Sequence, residues 1–236
     1  MILAMRCFRR GADLYGPRFA VALVILAVLM WTGAVDARAD DDVEHAMAQV
    51  RVRAAAGDVV AQFSLGALLY YGDDELSQAA DWFRQAAAQG YAPAEFQMGQ
   101  LYDFGFGVTV DAEQAFGWYR KAAEHGNAAA QRAVGDFYRR GRGVAADAAE
   151  AVAWYRRAAD GDDLRAQYQL GQMYFDGTGV TRDYVLAYMW FDIAARQTPL
   201  VDNQKAILEL RNIAAARMTP EQVADAAARV KSWKPR

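Results

Sequence analysis

Apolar residues recur along this chain at helical spacing, and the same spacing is spelled four times. Counting from Ala94, positions +4, +7, +8 and +11 hold Met98, Leu101, Tyr102 and Gly105. Counting from Ala61 they hold Leu65, Leu68, Leu69 and Gly72; from Ala130, Val134, Phe137, Tyr138 and Gly141; from Ala166, Leu170, Met173, Tyr174 and Gly177. Residues three and four apart share one face of an α-helix, so each set predicts an amphipathic helix buried along one stripe. A second stripe follows each first one. In "AFGWYRKAAEHG" it is Ala115, Trp118, Tyr119, Ala122 and Ala123, and near-copies stand at "AADWFRQAAAQG" from Ala79, "AVAWYRRAADG" from Ala151 and "AYMWFDIAARQ" from Ala187. No stretch alternates apolar and polar residues long enough to predict a sheet.

The two stripes keep a fixed period. Trp82, Trp118, Trp154 and Trp190 are 36 residues apart, and Ala86-Ala87, Ala122-Ala123, Ala158-Ala159 and Ala194-Ala195 keep time with them. Upstream, Gly66, Gly99, Gly135 and Gly171 are spaced 33, 36 and 36. A glycine inside a helix costs about 1 kcal/mol against alanine, so its recurrence predicts a close approach of the partner helix. Between the stripes lie "GFGV" at Gly105, "GRGV" at Gly141 and "GTGV" at Gly177; the first repeat has "YYGDDE" instead. Gly tolerates the left-handed conformation that ends a helix. Asp111, Asp147 and Asp183 are placed to cap the second helix, with Gln114 and Glu150 at the capping-box position. Gly90, Gly126 and Gly161 are expected to close the units. One such unit cannot bury its apolar face alone, and stacked units bury a continuous core.

The pattern A-x-x-x-L-G-x-x-Y-x-x-G-x-G-V-x-x-D-x-x-x-A-x-x-W-Y-x-x-A-A-x-x-G resembles the Sel1-like repeat, a relative of the tetratricopeptide repeat, from about Gly57 to Gln197. The resemblance implies an all-α protein: a right-handed α/α solenoid of four helix-pair repeats with helical caps. Repeat one departs by its shortened loop and by Glu75, and repeat four by Gln197 in place of the closing glycine, as terminal repeats do. Residues 40–56 predict a flanking helix, 57–198 the four repeats, and 199–236 capping helices. The last of these opens on Thr219, Pro220 and Gln222, a helix-start signature.

Residues 1–39 are a separate object. A basic stretch with Arg6, Arg9, Arg10 and Arg18 precedes an apolar run from Phe19 to Trp31, then Ala37 and Ala39 at the −3 and −1 places of a cleavage site. This predicts a signal peptide, with an uncleaved signal anchor as the alternative. Cleavage after Ala39 removes five Arg and two Asp, which takes the net charge from −3 to −6. That balance gives no reason to expect nucleic acid or, after cleavage, a membrane surface as partner. The one cysteine, Cys7, leaves with the leader, so the mature chain relies on packing rather than disulfides. The expected location is the bacterial periplasm or the medium.

Chemistry is sparse. His45 and His125 have no ligand-spaced or catalytic neighbour, and His125 suits a helix C-terminus. No G-x-S-x-G, H-E-x-x-H or P-loop occurs, and the Gly-x-Gly-Val turns lack the strand and lysine of a phosphate loop. No catalytic residue, metal or cofactor is predicted. The residues opposite the first-helix stripe, at +2, +6 and +9, vary instead. They include Phe63 and Tyr70 in repeat one, Phe96 and Asp103 in repeat two, Arg132, Asp136 and Arg139 in repeat three, and Tyr168 and Phe175 in repeat four. In related solenoids first helices line the concave face, which would make these partner-binding positions rich in aromatic and arginine residues. The competing reading packs the aromatics between repeats and pairs the arginines with nearby aspartates. The expected function is therefore an exported, non-enzymatic scaffold or adaptor for a protein or peptide. The alternatives are an inner-membrane-anchored scaffold with the same repeats and a cell-wall-related hydrolase, the latter because cysteine-rich members of the family have been described as β-lactamases. Those carry a cysteine pair per repeat, which this chain lacks.

Overall fold

The computed structural model describes residues 39–71, 76–198 and 201–235. Residues 1–38, which hold nearly all of the expected signal peptide, lie outside them, as do Gly72 and Glu75. The described chain is helical and divides into two compact bodies between Val110 and Asp111. The first holds α1 (Ala39–Ala55), α2 (Val59–Tyr71), α3 (Leu76–Ala88) and α4 (Ala92–Phe104). The second holds α5 (Ala112–Glu124), α6 (Ala128–Arg140), α7 (Ala148–Asp160), α8 (Leu164–Asp176), α9 (Tyr184–Gln197), α10 (Val201–Ala215) and α11 (Pro220–Ser232). Within each body successive helices pack in chain order as far as α10, and α11 packs back onto α9. No helix among the described residues is long and apolar enough to cross a membrane.

The alanine pairs and the second aromatic of each repeat make the core. Ala158, Ala159, Tyr155, Leu170, Phe191 and Ala194 are fully or almost fully buried in the second body, as are Ala86, Phe83 and Leu65 in the first. The mid-helix glycine is explained by that aromatic. A Cβ on Gly66 would lie 2.9 Å from the Phe83 ring, on Gly135 2.8 Å from Tyr155, and on Gly171 2.6 Å from Phe191. The ring of the second helix thus rests on bare backbone of the first. Gly117 has no such neighbour: it is exposed, and a Cβ there meets nothing within 4 Å. Gly117→Ala is therefore expected to stabilise α5 by about 0.5–1 kcal/mol, as read by urea denaturation; a loss would contradict the open environment.

The two glycines of each Gly-x-Gly turn do different work. Gly105, Gly141 and Gly177 end their helices in the left-handed conformation, with φ of 77°, 65° and 74°. Gly107, Gly143 and Gly179 are left-handed too, but they also lie against another repeat's backbone. A Cβ would fall 2.2 Å from the carbonyl oxygen of Leu76, 2.3 Å from that of Ala112 and 2.2 Å from that of Ala148. Each is the first residue of the previous repeat's second helix, so this glycine sets the spacing between repeats.

The three aspartate caps form as expected. Asp111 accepts from the N–H of Gln114, Asp147 from those of Ala149 and Glu150, and Asp183 from those of Val185 and Leu186. The complete reciprocal box stands at Thr219, whose N–H also donates to Gln222 Oε1 at 2.9 Å. One expectation is corrected. Gly90 and Gly126 close their repeats with positive φ, but Gly161 has φ −82° and Asp162 takes the left-handed place, at φ 66°. Asp162 stands eight residues after Trp154, in phase with Gly90 and Gly126. Aspartate tolerates this conformation better than most residues. Its carboxylate also accepts from Gln167 at 3.2 Å and Gln197 at 2.5 Å.

Candidate interaction surface

In the first body the expected positions lie on α2 and α4, all half-buried. Phe63 packs edge-on against Tyr91, with ring centroids 5.3 Å apart, and tilts onto Phe83 at 5.5 Å. Tyr70 meets Tyr71, Phe83 and Phe106 at 5.0, 6.4 and 6.0 Å. Phe63 and Tyr70 are therefore walls of the packing, with one edge toward solvent. Phe96 and Asp103 share α4 with Phe104. The more exposed aromatics fall off those offsets: Phe104 at 57 %, Phe106 at 39 % and Tyr71 at 37 %. The signal that finds Phe106 is the variable residue inside the Gly-x-Gly turn, occupied by Phe106, Arg142 and Thr178 in turn.

In the second body Arg132, Asp136 and Arg139 come together in one network on α6. Asp136 accepts from the Tyr155 hydroxyl at 2.8 Å and pairs with Arg132 at 3.4 Å and Arg139 at 3.6 Å. Arg139 Nε donates to the Tyr155 hydroxyl oxygen at 3.1 Å. Arg132 reaches onward to Asp163 at 3.2 Å, the residue that caps α8. These arginines are neutralised by their own aspartates rather than held open for an acidic partner. Tyr168 rests on Phe191 at 6.1 Å, and its hydroxyl oxygen accepts from Gln172 at 2.8 Å. Phe175 meets Tyr184 at 5.5 Å, with the Arg217 guanidinium 5.0 Å from its ring.

Burial pushes the Tyr155 phenol well above its ordinary value; the Asp136 carboxylate adds to this and Arg139 opposes it. A raised folded-state value favours the protonated form. The associated stability is present in full below the ordinary tyrosine pKa of about 10 and is lost as pH rises beyond it. The melting temperature is thus expected to fall between about pH 9 and 11 more steeply in the natural protein than in Tyr155→Phe. Parallel slopes would remove Tyr155 from the alkaline response.

Helices paired in turn, with a repeating glycine-on-ring contact and a repeating glycine spacer, define an α/α solenoid of helix-pair repeats. The Sel1 repeat model matches residues 59–91, 92–127, 128–163 and 164–199, and the chain belongs to the Sel1 repeat family. The fold is similar to a Sel1 repeat protein from Oxalobacter formigenes, at 34 % identity and TM-score 0.62 over 69 % of this chain and 48 % of that one. It is also similar to c5321, a protective antigen of uropathogenic Escherichia coli strains displaying this fold. There the identity is 28 % and the TM-score 0.52, over 94 % of this chain and 54 % of that one. The chain thus spans about half the length of both. No curated protein matches it. Sel1 repeat proteins are in general protein-interaction scaffolds.

Proposed function

We propose that this protein is an exported, non-enzymatic adaptor that holds a protein or peptide partner on its solenoid surface. One observation carries the reading. The four repeats keep the same core positions while the residues at +2, +6 and +9 change from Phe63, Ala67 and Tyr70 to Phe96, Gln100 and Asp103, then Arg132, Asp136 and Arg139, then Tyr168, Gln172 and Phe175. A frame held constant under a varied face is what a preformed recognition surface requires. The basic, apolar and Ala-x-Ala stretches of residues 1–39 support export to the periplasm or beyond.

The test expresses the full chain with a C-terminal tag in the source cells and recovers it from the exported soluble fraction. An N-terminus at Asp40 is expected; a membrane-bound protein retaining residues 1–39 would replace the soluble adaptor with an anchored scaffold. Partners captured by this protein are compared with those captured by a variant carrying Phe96→Ala, Arg132→Ala, Arg139→Ala and Tyr168→Ala. Loss of a specific partner with helicity unchanged supports the surface. Capture of the same proteins by both moves binding off these residues.

A further inference from the structure

The last repeat and the helix that follows it flank an open, mostly apolar hollow of about 430 Å³. Its walls are Leu164, Arg165 and Tyr168 of α8 and Ala206, Ile207 and Leu210 of α10, with Thr198 and Asn203 at the rim. Leu164, Ile207 and Leu210 are only half-buried, so three branched aliphatic side chains and the Tyr168 ring remain partly in water. The volume lies toward the small end of ligand pockets, about 300–1,000 Å³. It suits one or two large side chains rather than a whole helix.

Arg165 is the one cation in the lining. Elsewhere in this body Arg132, Arg139, Arg196 and Arg211 each sit on an aspartate; Arg211 and Arg196 share Asp192, at 2.6 and 2.7 Å. Arg165 is exposed and has no hydrogen bond or ion pair among the described residues. An uncompensated guanidinium beside an apolar hollow is complementary to an apolar side chain with a carboxylate next to it.

We propose that this cavity seats a segment of a partner protein in which a bulky apolar residue adjoins an Asp or Glu. The apolar side chain fills the hollow between α8 and α10, and the carboxylate pairs with Arg165. This rests on the adaptor reading above and gives it a partner chemistry. The cavity lies wholly within the second body, and Tyr168, fixed by Phe191 and Gln172, forms its rigid wall.

The test titrates the full chain with three capped peptides, acetyl-Ala-Leu-Glu-Ala-amide and its Gln and Lys counterparts, up to about 5 mM, a range suited to weak contacts. Backbone amide shifts are read by NMR. The Glu peptide is expected to shift residues of α8 and α10 and to bind about threefold tighter than the Gln peptide, as an exposed ion pair allows. Arg165→Glu should reverse the order in favour of the Lys peptide. Ala206→Trp, at an exposed position, should fill the hollow and abolish binding. Absence of shifts on α8 and α10, or an unchanged order in Arg165→Glu, overturns the proposal. So does a self-associating protein whose dimer is lost in Ala206→Trp, since the occupant would then be a second copy. A partner captured equally by the natural protein and by both variants leaves the adaptor standing and places its seat elsewhere.

Discussion

Gly179→Ala is expected to destabilise the protein by about 3 kcal/mol or more, while Gly177→Ala, two residues earlier in the same turn, costs about 1–2 kcal/mol. Both residues have positive φ, 71° and 74°, so both substitutions incur the left-handed penalty of an L side chain, about 1–2 kcal/mol. They differ in what the new methyl group meets. At Gly177 the nearest atom is Arg182 Cβ at 3.2 Å, which a small shift of the loop relieves. At Gly179 it is the Ala148 carbonyl oxygen at 2.2 Å and its carbon at 2.4 Å. Those atoms belong to the first residue of α7 and are held there by the Asp147 cap. Backbone of a capped helix cannot rotate aside, so the repeats must move apart and loosen the core between them. Urea midpoints at constant slope measure the two costs. Equal costs would mean that the second glycine is only a turn residue. Gly143→Ala, against Ala112, is expected to behave like Gly179→Ala.

Gly171→Ala reverses the usual sign of a helical glycine substitution. On propensity alone alanine gains about 1 kcal/mol, as expected at the open Gly117. At Gly171 the added Cβ lies 2.6 Å from two atoms of the Phe191 ring. Phe191 is 1 % exposed and is hemmed in by the core around Tyr155, Leu170 and Trp190, so its ring has little room to retreat. Overpacking of this kind costs about 1–3 kcal/mol and leaves the substitution destabilising. Phe191→Leu shortens the ring side and by itself costs about 1–1.5 kcal/mol. The pair should then be non-additive: in Phe191→Leu the alanine at 171 regains its propensity advantage, with a coupling of about 1–2 kcal/mol. Additive costs in the double-mutant cycle would show that the ring is not what excludes a side chain from position 171.

Much of the fold is legible in the order of residues alone. The stripes from Ala61, Ala94, Ala130 and Ala166 mark the first helices, and the Trp–aromatic–Ala-Ala stripes mark the second, because helical periodicity is local. Asp111, Asp147, Asp183 and Thr219 mark helix starts for the same reason: a cap acts on N–H groups two or three residues away. The expected interaction residues are legible only as positions. That Arg132, Asp136 and Arg139 form one network is half-visible from their i, i+4 and i, i+3 spacing on one helix. Their tie to Tyr155 and Asp163 is not, since it crosses helix boundaries.

The sequence by itself determined the repeat number, the helix pairs, their caps and the family, all of which rest on periodic or short-range chemistry. Only the tertiary structure decided which glycine is a turn and which a spacer, since Gly179 meets Ala148, 31 residues earlier. It also decided that Asp162 rather than Gly161 takes the left-handed place, that Arg132 and Arg139 of α6 are already paired, and that α8 and α10 leave a hollow beside an uncompensated Arg165. Each of these depends on which distant backbone or side chain arrives at a given point, and packing in three dimensions, not neighbourhood along the chain, fixes that.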